Sequence, residues 1–470
     1  MAEINPIVPS FDALKNPAQS APKPESPFNK ILSRIRTHIP DQIPTSKARN
    51  LLEKLSGDQS DTSQQQTSAE KSEIKAEEKL PPTVAFYCGF SGTDQGIRSM
   101  GTAVENVLRD EYEKANPGQG TAITSENVKI YNSAVSVDRP NPNRFKEMGA
   151  HLMKSLSEGR DTTVILYSMG SAEFVGALQW IASSNPDFIK NTDFSKLHIM
   201  LLSPAGIFKG ARGALDTIGA MKDLVKTTNE KSPYLGIDVA IAFPPQGITH
   251  QDFVQALRLA YPELSATTND TNNQIEWTEI PKDQRDYYRI LSESDKVAVE
   301  LIDTALAQGI ANKNSDVIKA RLAQRATLLN KYSGQIYKGQ HFEESSIQKA
   351  EVTRFQMAKL IGQGLLGAGD VFKNVFFGKQ RQVYELLMKA GADVSIAAPE
   401  YDVFNNPIKL ADLLSSPQEP DKAPAIFGIP GGTHTSFAPK PERTLGEIVR
   451  KSLQKTFHQY RDLFSDTDIA

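Results

Sequence analysis

The feature that most constrains this chain is the alternation of short apolar, β-branched segments with helical patterns. Strand patterns cover residues 83–90, 128–135, 163–167, 198–202, 393–398 and 423–429. Helical patterns lie between and after them, at residues 98–115, 143–158, 170–183, 379–390, 407–414 and 444–463. Strands that alternate with helices form βαβ units, whose strands pair in parallel. The sequence therefore predicts an α/β fold with a mostly parallel sheet flanked by helices.

The alternation is interrupted between two late strands. Residues 208–378 have a mostly helical pattern, with apolar positions at i, i+3 and i+4 in residues 295–308 and 316–332. An interval of about 170 residues is too long for a loop. We therefore expect an all-helical cap over residues 208–378, packed over one edge of the sheet. The α/β core would then consist of residues 81–207 and 379–470.

The first 80 residues have a different composition. Residues 57–79 are mainly Ser, Gln, Thr, Lys and Glu, so they contain almost nothing to bury. Residues 1–80 are therefore expected to be a disordered or loosely docked tail. Within this tail, residues 28–38 have an apolar helical face. We expect this helix to pack on its own protein, and the alternative is a weak contact with a membrane surface or a partner.

Charge and cysteine content exclude several classes of protein. The net charge is −3 and no long stretch is strongly basic, which argues against nucleic acid as a partner. The single cysteine, Cys88, allows no disulfide within the chain and is consistent with a reducing compartment. The first residues lack a basic start followed by an apolar run, and no uninterrupted apolar run reaches the roughly 18 residues of a spanning helix. We therefore expect a cytoplasmic protein without a transmembrane segment.

One serine follows an apolar strand on a strand-to-helix turn. The strand pattern ends at Tyr167 and continues as Ser168, Met169, Gly170 and Ser171. Such a turn presents the serine hydroxyl beside a helix N-terminus, and small residues next to it let the strand and the helix approach closely. The sequence matches the pattern G-x-S-x-G at Gly170, but Leu166 occupies the position of the first glycine. The structural alternative is a serine that only caps a helix.

Two further turns after strands carry an acid and a histidine. Asp402 and Glu400 follow the strand pattern at residues 393–398, and His434 follows the last strand in a glycine turn. Asp402 is preferred to Glu400, because Pro399 is expected to end the strand. Asp402 lies four residues after Ala398, which gives the chain room to turn toward His434. The alternatives are a solvated loop carboxylate and a structural histidine.

These motifs together resemble the α/β-hydrolase superfamily of serine esterases and lipases. Ser168, Asp402 and His434 occur in the order of that family's catalytic triad. Residues 88–92, CGFSG, resemble the family's H-G-x-x-G turn with Cys88 in place of histidine, although an ordinary glycine turn is the alternative. By this resemblance, the backbone N–H groups of Phe90 and Met169 form an oxyanion hole. The resemblance covers roughly residues 83–206 and 379–465, and it departs from the family's pattern at Leu166 and Cys88.

The resemblance implies a serine hydrolase that cleaves an ester through an acyl-enzyme intermediate. It implies no metal or organic cofactor, and the chain has no glycine-rich nucleotide motif after a strand. The expected substrate is a small-molecule ester or a lipid with an apolar acyl group. Leu365 and Phe372, in a glycine-rich apolar segment, are the candidate substrate-binding residues, and a closely packed core helix is the alternative there. The second possible function is a non-catalytic member of the fold that binds a partner or ligand.

Overall fold

A seven-stranded sheet forms the centre of the computed structural model, and all of its strand pairings are parallel. The strands are β1 Thr83–Tyr87, β2 Val128–Tyr131, β3 Thr162–Tyr167, β4 Leu197–Leu202, β5 Ile275–Trp277, β6 Asp393–Tyr401 and β7 Ala425–Thr433. Their order across the sheet is β2-β1-β3-β4-β6-β7-β5. The predicted α/β class with a parallel sheet is therefore confirmed.

The structure describes the strands and most of the helices around them. The described residues are 80–87, 89, 94–131, 143–205, 207, 245, 247–262, 275–277, 291–332, 380–402, 404, 405, 407, 410, 424–434, 436, 437 and 445–453. They all belong to one of two units of the chain, residues 49–470. The predicted tail up to residue 79 lies outside the described residues, and so do Cys88, Phe90, Leu365 and Phe372.

The helices lie where short-range signals place them. They are α1 Asp94–Ala115, α2 Arg144–Ser157, α3 Gly170–Ser184, α4 Pro186–Asn191, α5 His250–Ala260, α6 Glu293–Ala311, α7 Ser315–Asn330 and α8 Gln380–Lys389, and residues 445–453 are also helical. Side-chain oxygens of Thr249, Ser292 and Asn314 cap the first turns of α5, α6 and α7 by accepting backbone N–H groups. Within the described ranges, no helix combines the length and the apolar character needed to cross a membrane.

Both faces of the sheet are covered, and each has its own core. Alternate residues of β1 point to opposite faces, so Val84 and Phe86 join one core while Ala85 and Tyr87 join the other. The first core is completed by α1, α5 and the helical residues 445–453, and the second by α2, α3 and α8. Burial on both faces explains why all of β3 is buried and reads as a continuous apolar run.

The inserted interval, residues 208–378, contributes to the sheet as well as helices. In its described part, α5 places Phe253 and Leu257 in the first core, and α6 and α7 are joined by a buried ion pair between Asp303 and Arg325. The strand β5 pairs with β7 at the sheet edge. The interval is therefore not purely helical, which corrects the expectation of an all-helical cap. A strand of three residues is too short to produce a periodic signal in the sequence.

The strand β6 is longer than predicted. Pro399 was expected to end it, but β6 continues to Tyr401, and Pro399 pairs with Ile429 of β7. The pairing between β6 and β7 is irregular between Pro399 and Tyr401. Proline lacks a backbone donor, and an irregular part of a ladder is where a strand tolerates that loss.

Candidate active site

Ser168 lies between the last residue of β3 and the first residue of α3, with a backbone angle φ of 53°. This left-handed conformation costs a serine on the order of 1–3 kcal/mol unless its surroundings hold it. Two backbone hydrogen bonds to β4 and the turn after it hold Ser168 in this conformation. The N–H of Ser168 donates to the Leu202 carbonyl at 2.9 Å, and the carbonyl of Ser168 accepts the N–H of Ala205 at 3.0 Å.

Two glycines let the chain pack tightly around this serine. A Cβ atom on Gly170 would lie 2.6 Å from the carbonyl oxygen of Tyr87, and one on Gly89 would lie 2.6 Å from the Ser168 Cβ. Both distances are too short for a real side chain, so the end of β1 and the serine turn require glycine at these positions. Leu166, in contrast, is fully buried in the second core as an ordinary residue of β3. Its side chain therefore does not disturb the turn.

Asp402 and His434 reach the same edge of the sheet as Ser168. Each follows the last residue of its strand, β6 for Asp402 and β7 for His434. Because parallel strands end at a common edge, these side chains come together although they are distant in sequence. His434 Nε2 lies 3.0 Å from Ser168 Oγ, and His434 Nδ1 lies 2.9 Å from Asp402 Oδ1. Both distances are within hydrogen-bonding range.

The imidazole of His434 is held by aromatic rings and by its own backbone. The Phe404 ring centroid lies 4.5 Å from that of His434, and the Tyr167 ring is stacked with the imidazole at a centroid distance of 5.7 Å. The Tyr167 hydroxyl donates to the His434 carbonyl at 2.9 Å. Sequence reasoning missed both aromatic residues, because neither belongs to a motif and only their positions beside Ser168 and Asp402 could have suggested them.

The carboxylate of Asp402 is oriented by the backbone that follows it. Its Oδ1 accepts the N–H of Phe404 at 2.8 Å, and its Oδ2 has no hydrogen-bond partner among the described residues. Ser168, Asp402 and His434 are 5%, 8% and 4% exposed. Their mutual hydrogen bonds therefore form in a low-dielectric environment, where they are stronger than in water.

Glu400, the other candidate acid, has different partners. Its carboxylate is fully buried and accepts Arg258 Nε at 2.6 Å and Arg258 Nη2 at 3.2 Å. It also accepts the backbone N–H of Gly431 at 3.0 Å. The structure thus places Asp402 against His434 and Glu400 against Arg258. The reason for which the sequence analysis preferred Asp402 to Glu400 was wrong, because the strand does not end at Pro399 but continues to Tyr401.

A second strained serine lies at the same edge. Ser203 follows β4, has φ of 45° and is fully buried. Its backbone N–H donates to the Ala397 carbonyl at 2.9 Å, while its Oγ has no hydrogen-bond partner in the described part of the chain. Sequence reasoning did not identify Ser203 as a site residue. The signal that could have found it is its position at the turn where the strand–helix alternation stops.

Of the remaining predicted site residues, Met169 belongs to the described part of the chain. Met169 is buried and lies between Ser168 and the first residue of α3. Its backbone N–H is therefore next to the serine, which is the position that an oxyanion donor needs. Phe90, Leu365 and Phe372 lie outside the described residues. In the part of the chain that the structure describes, no group of three His, Cys, Asp or Glu side chains is arranged to hold a metal ion.

No protein-family model matches the chain, and no curated protein matches it. The class of protein is therefore defined by the structure itself. It is an α/β protein with a parallel seven-stranded sheet and a hydrogen-bonded serine, histidine and aspartate at the carboxyl edge of that sheet.

Proposed function

We propose that this protein is a serine hydrolase that cleaves an ester through an acyl-enzyme intermediate. The observation that carries the proposal is the chain of hydrogen bonds from Ser168 Oγ through His434 to Asp402, at 3.0 and 2.9 Å. With its Nδ1 proton directed to Asp402, His434 presents Nε2 as an acceptor for the serine hydroxyl. A histidine in this tautomer acts as the general base for a serine nucleophile.

The proposed reaction has two stages. Ser168 Oγ attacks the ester carbonyl while His434 Nε2 takes its proton, and Asp402 stabilises the imidazolium that forms. His434 then returns the proton to the departing alcohol. In the second stage His434 activates a water molecule, which attacks the acyl-serine and releases the acid. The mechanism requires no metal and no organic cofactor.

Backbone N–H groups are proposed to stabilise the oxyanion that forms on the carbonyl. The donors are Met169, directly after the serine, and Phe90, directly after Gly89. The close approach of Gly89 to Ser168 supports this assignment, because Gly89 directly precedes Phe90 in the chain. Each such donor contributes roughly 3–4 kcal/mol to stabilising a transition state in related systems.

Membership of the α/β-hydrolase superfamily is part of the proposal. Its support is the strained Ser168 between a strand and a helix, together with the order Ser168, Asp402, His434 along the chain. The aromatic rings around His434 favour an apolar ester, including a lipid, as the substrate class. Leu365 and Phe372, in the inserted interval, are the proposed contacts for its apolar group.

A second candidate function is ligand or partner binding without catalysis. The observation that favours it is the near-complete burial of Ser168, since a nucleophile must be reached by its substrate. The presence of Cys88 where the family's turn has a histidine points the same way. Both candidates use the same edge of the sheet, and a test of nucleophilicity separates them.

A fluorophosphonate probe tests whether Ser168 is a nucleophile. We expect mass spectrometry of the labelled, folded protein to locate the probe on Ser168, and we expect turnover of p-nitrophenyl esters. Ser168→Ala should abolish labelling and lower kcat by roughly 10⁴-fold or more. The matched control is Ser203→Gly, which removes another buried, strained serine at this edge and should retain labelling. Labelling at another residue, or none on folded protein, contradicts the proposed hydrolase.

A further inference from the structure

Glu400 is a buried carboxylate that forms an ion pair with an arginine side chain. A carboxylate without exposure is strongly destabilising unless it is paired and hydrogen-bonded. Arg258 supplies that pairing through two hydrogen bonds, from Nε at 2.6 Å and from Nη2 at 3.2 Å. This bidentate geometry fixes the direction of the carboxylate. The same hydrogen bonding raises the pKa of Arg258, so the guanidinium stays charged.

The position of Glu400 in the sheet connects it to the turn that carries His434. Pro399 pairs with Ile429 and Tyr401 pairs with Thr433, so residues 430–432 of β7 lie opposite Glu400 alone. Within that bulge, Gly431 has φ of 68° and donates its N–H to Glu400 Oε2 at 3.0 Å. A buried N–H without such an acceptor would be destabilising.

The bulge is also tightly packed against β6. A Cβ atom on Gly432 would lie 2.9 Å from the Cβ of Pro399. His434 follows Gly432 by two residues, and Asp402 follows Glu400 by two residues. In the chain, the hydrogen bond from Gly431 to Glu400 therefore lies just before both residues of the His434–Asp402 contact.

We propose that Glu400 and Arg258 are a positioning pair for His434, through which helix α5 of the inserted interval holds the histidine in line with Ser168. Neither residue contacts the reacting atoms in this proposal. Their effect passes through the Gly431 N–H to the turn. The kinetic consequence rests on the proposed hydrolase function, whereas the geometric consequence for His434 does not.

Another buried ion pair provides the control. Asp303 and Arg325 join α6 to α7 at 2.8 Å, and they are 4% and 1% exposed. This pair lies in the inserted interval, as Arg258 does, and it also joins a buried carboxylate to an arginine. Removing its charge should affect stability alone, so it separates the loss of a buried ion pair from the loss of histidine position.

The experiment compares Glu400→Leu, Glu400→Gln and Arg258→Met with the control Asp303→Asn. For Glu400→Leu we expect kcat for a p-nitrophenyl ester to fall roughly a hundredfold with KM nearly unchanged, as a small displacement of a catalytic group does. Glu400→Gln retains an acceptor for Gly431 and should recover part of that loss. Arg258→Met should lower kcat by roughly tenfold, because the carboxylate loses its orientation. Asp303→Asn should leave kcat within about twofold of wild type.

The proton on His434 Nδ1 gives a readout that does not depend on catalysis. Its proton NMR signal, assigned with His434→Gln, should shift or broaden in Glu400→Leu and Arg258→Met and stay in place in Asp303→Asn. If the wild-type protein hydrolyses no ester, this signal still tests the positioning pair by itself. If Glu400→Leu does not fold, Arg258→Met decides, because Arg258 is 35% exposed and more tolerant of substitution. An unchanged signal and kcat in a folded Arg258→Met protein would overturn the proposal.

Discussion

At the scale of single residues, backbone strain is concentrated beside the candidate active site. Ser168 and Ser203 have φ of 53° and 45°, and both follow strands that end at this edge. Such conformations persist only where neighbouring groups hold them, and here backbone hydrogen bonds to adjacent strands do so. The third non-glycine residue with positive φ among the described residues, Lys313, lies in the turn between α6 and α7.

Ser203→Gly should raise the free energy of unfolding by about 1 kcal/mol. Glycine adopts a positive φ without a steric cost, and the change also removes a buried hydroxyl that lacks a hydrogen-bond partner among the described residues. Urea denaturation followed by circular dichroism measures the change. Lys313→Gly is the control for relief of backbone strain alone, since Lys313 is exposed. A Ser203→Gly protein less stable than wild type would show that the Ser203 hydroxyl is stabilising.

At the scale of elements, the contact between β1 and α3 determines where Ser168 lies. Gly170 begins α3 directly against the Tyr87 carbonyl of β1, which is backbone and has little freedom to move. Gly176, six residues further along the same helix, instead faces the ring of Phe145, which is only partly buried. The two glycines of α3 therefore differ in what a methyl group would displace.

Gly170→Ala should lower the free energy of unfolding by about 2 kcal/mol, because the added Cβ overpacks a contact between two backbones. The same displacement should lower the labelling rate of Ser168. Gly176→Ala is the matched control on α3, where a gain in helix propensity of up to about 1 kcal/mol offsets the movement of the Phe145 ring. Thermal denaturation of both variants makes the comparison. Equal destabilisation by both substitutions would mean that the β1–α3 contact tolerates a methyl group as well as the contact with Phe145 does.

At the scale of the whole molecule, titration of a half-buried histidine links stability to pH. His151 of α2 packs near Tyr131 of β2, with ring centroids 6.2 Å apart, and its Nε2 lacks a hydrogen-bond partner in the described ranges. Burial and, to a smaller extent, the nearby cations Lys129 and Lys154 together lower the pKa of His151 to about 4. In the folded protein His151 is therefore neutral where an unfolded histidine is already charged.

The protein should lose stability as the pH falls from about 6.5 to about 4. In that window the unfolded chain binds a proton on His151 and the folded protein does not, so protonation favours unfolding. Allowing for the partial exposure of the ring, the contribution is about 2 kcal/mol. Urea midpoints measured across this range should fall less steeply for His151→Gln, which cannot titrate. Identical pH profiles for the two proteins would contradict the shifted pKa.

The sequence by itself determined the class of fold and the edge at which the candidate site forms. Apolar periodicity is a local property, so it identified the strands of an α/β protein without knowledge of their partners. Parallel strands end at a common edge, so residues that follow different strands, such as Ser168, Asp402 and His434, could be predicted to meet. The roles of Phe90, Leu365 and Phe372 stay predictions, because they lie outside the described residues.

Only the tertiary structure decided how that edge is built. The pairing of β5 with β7, the continuation of β6 through Pro399 and the strain at Ser203 all depend on contacts between distant segments. The partner of Glu400, for example, is Arg258, which lies 142 residues away in the inserted interval. No local pattern encodes such a contact, because it forms only when the helices pack on the sheet and bury the carboxylate. The same packing pairs Glu400 with Arg258 and leaves Asp402 as the acid that contacts His434.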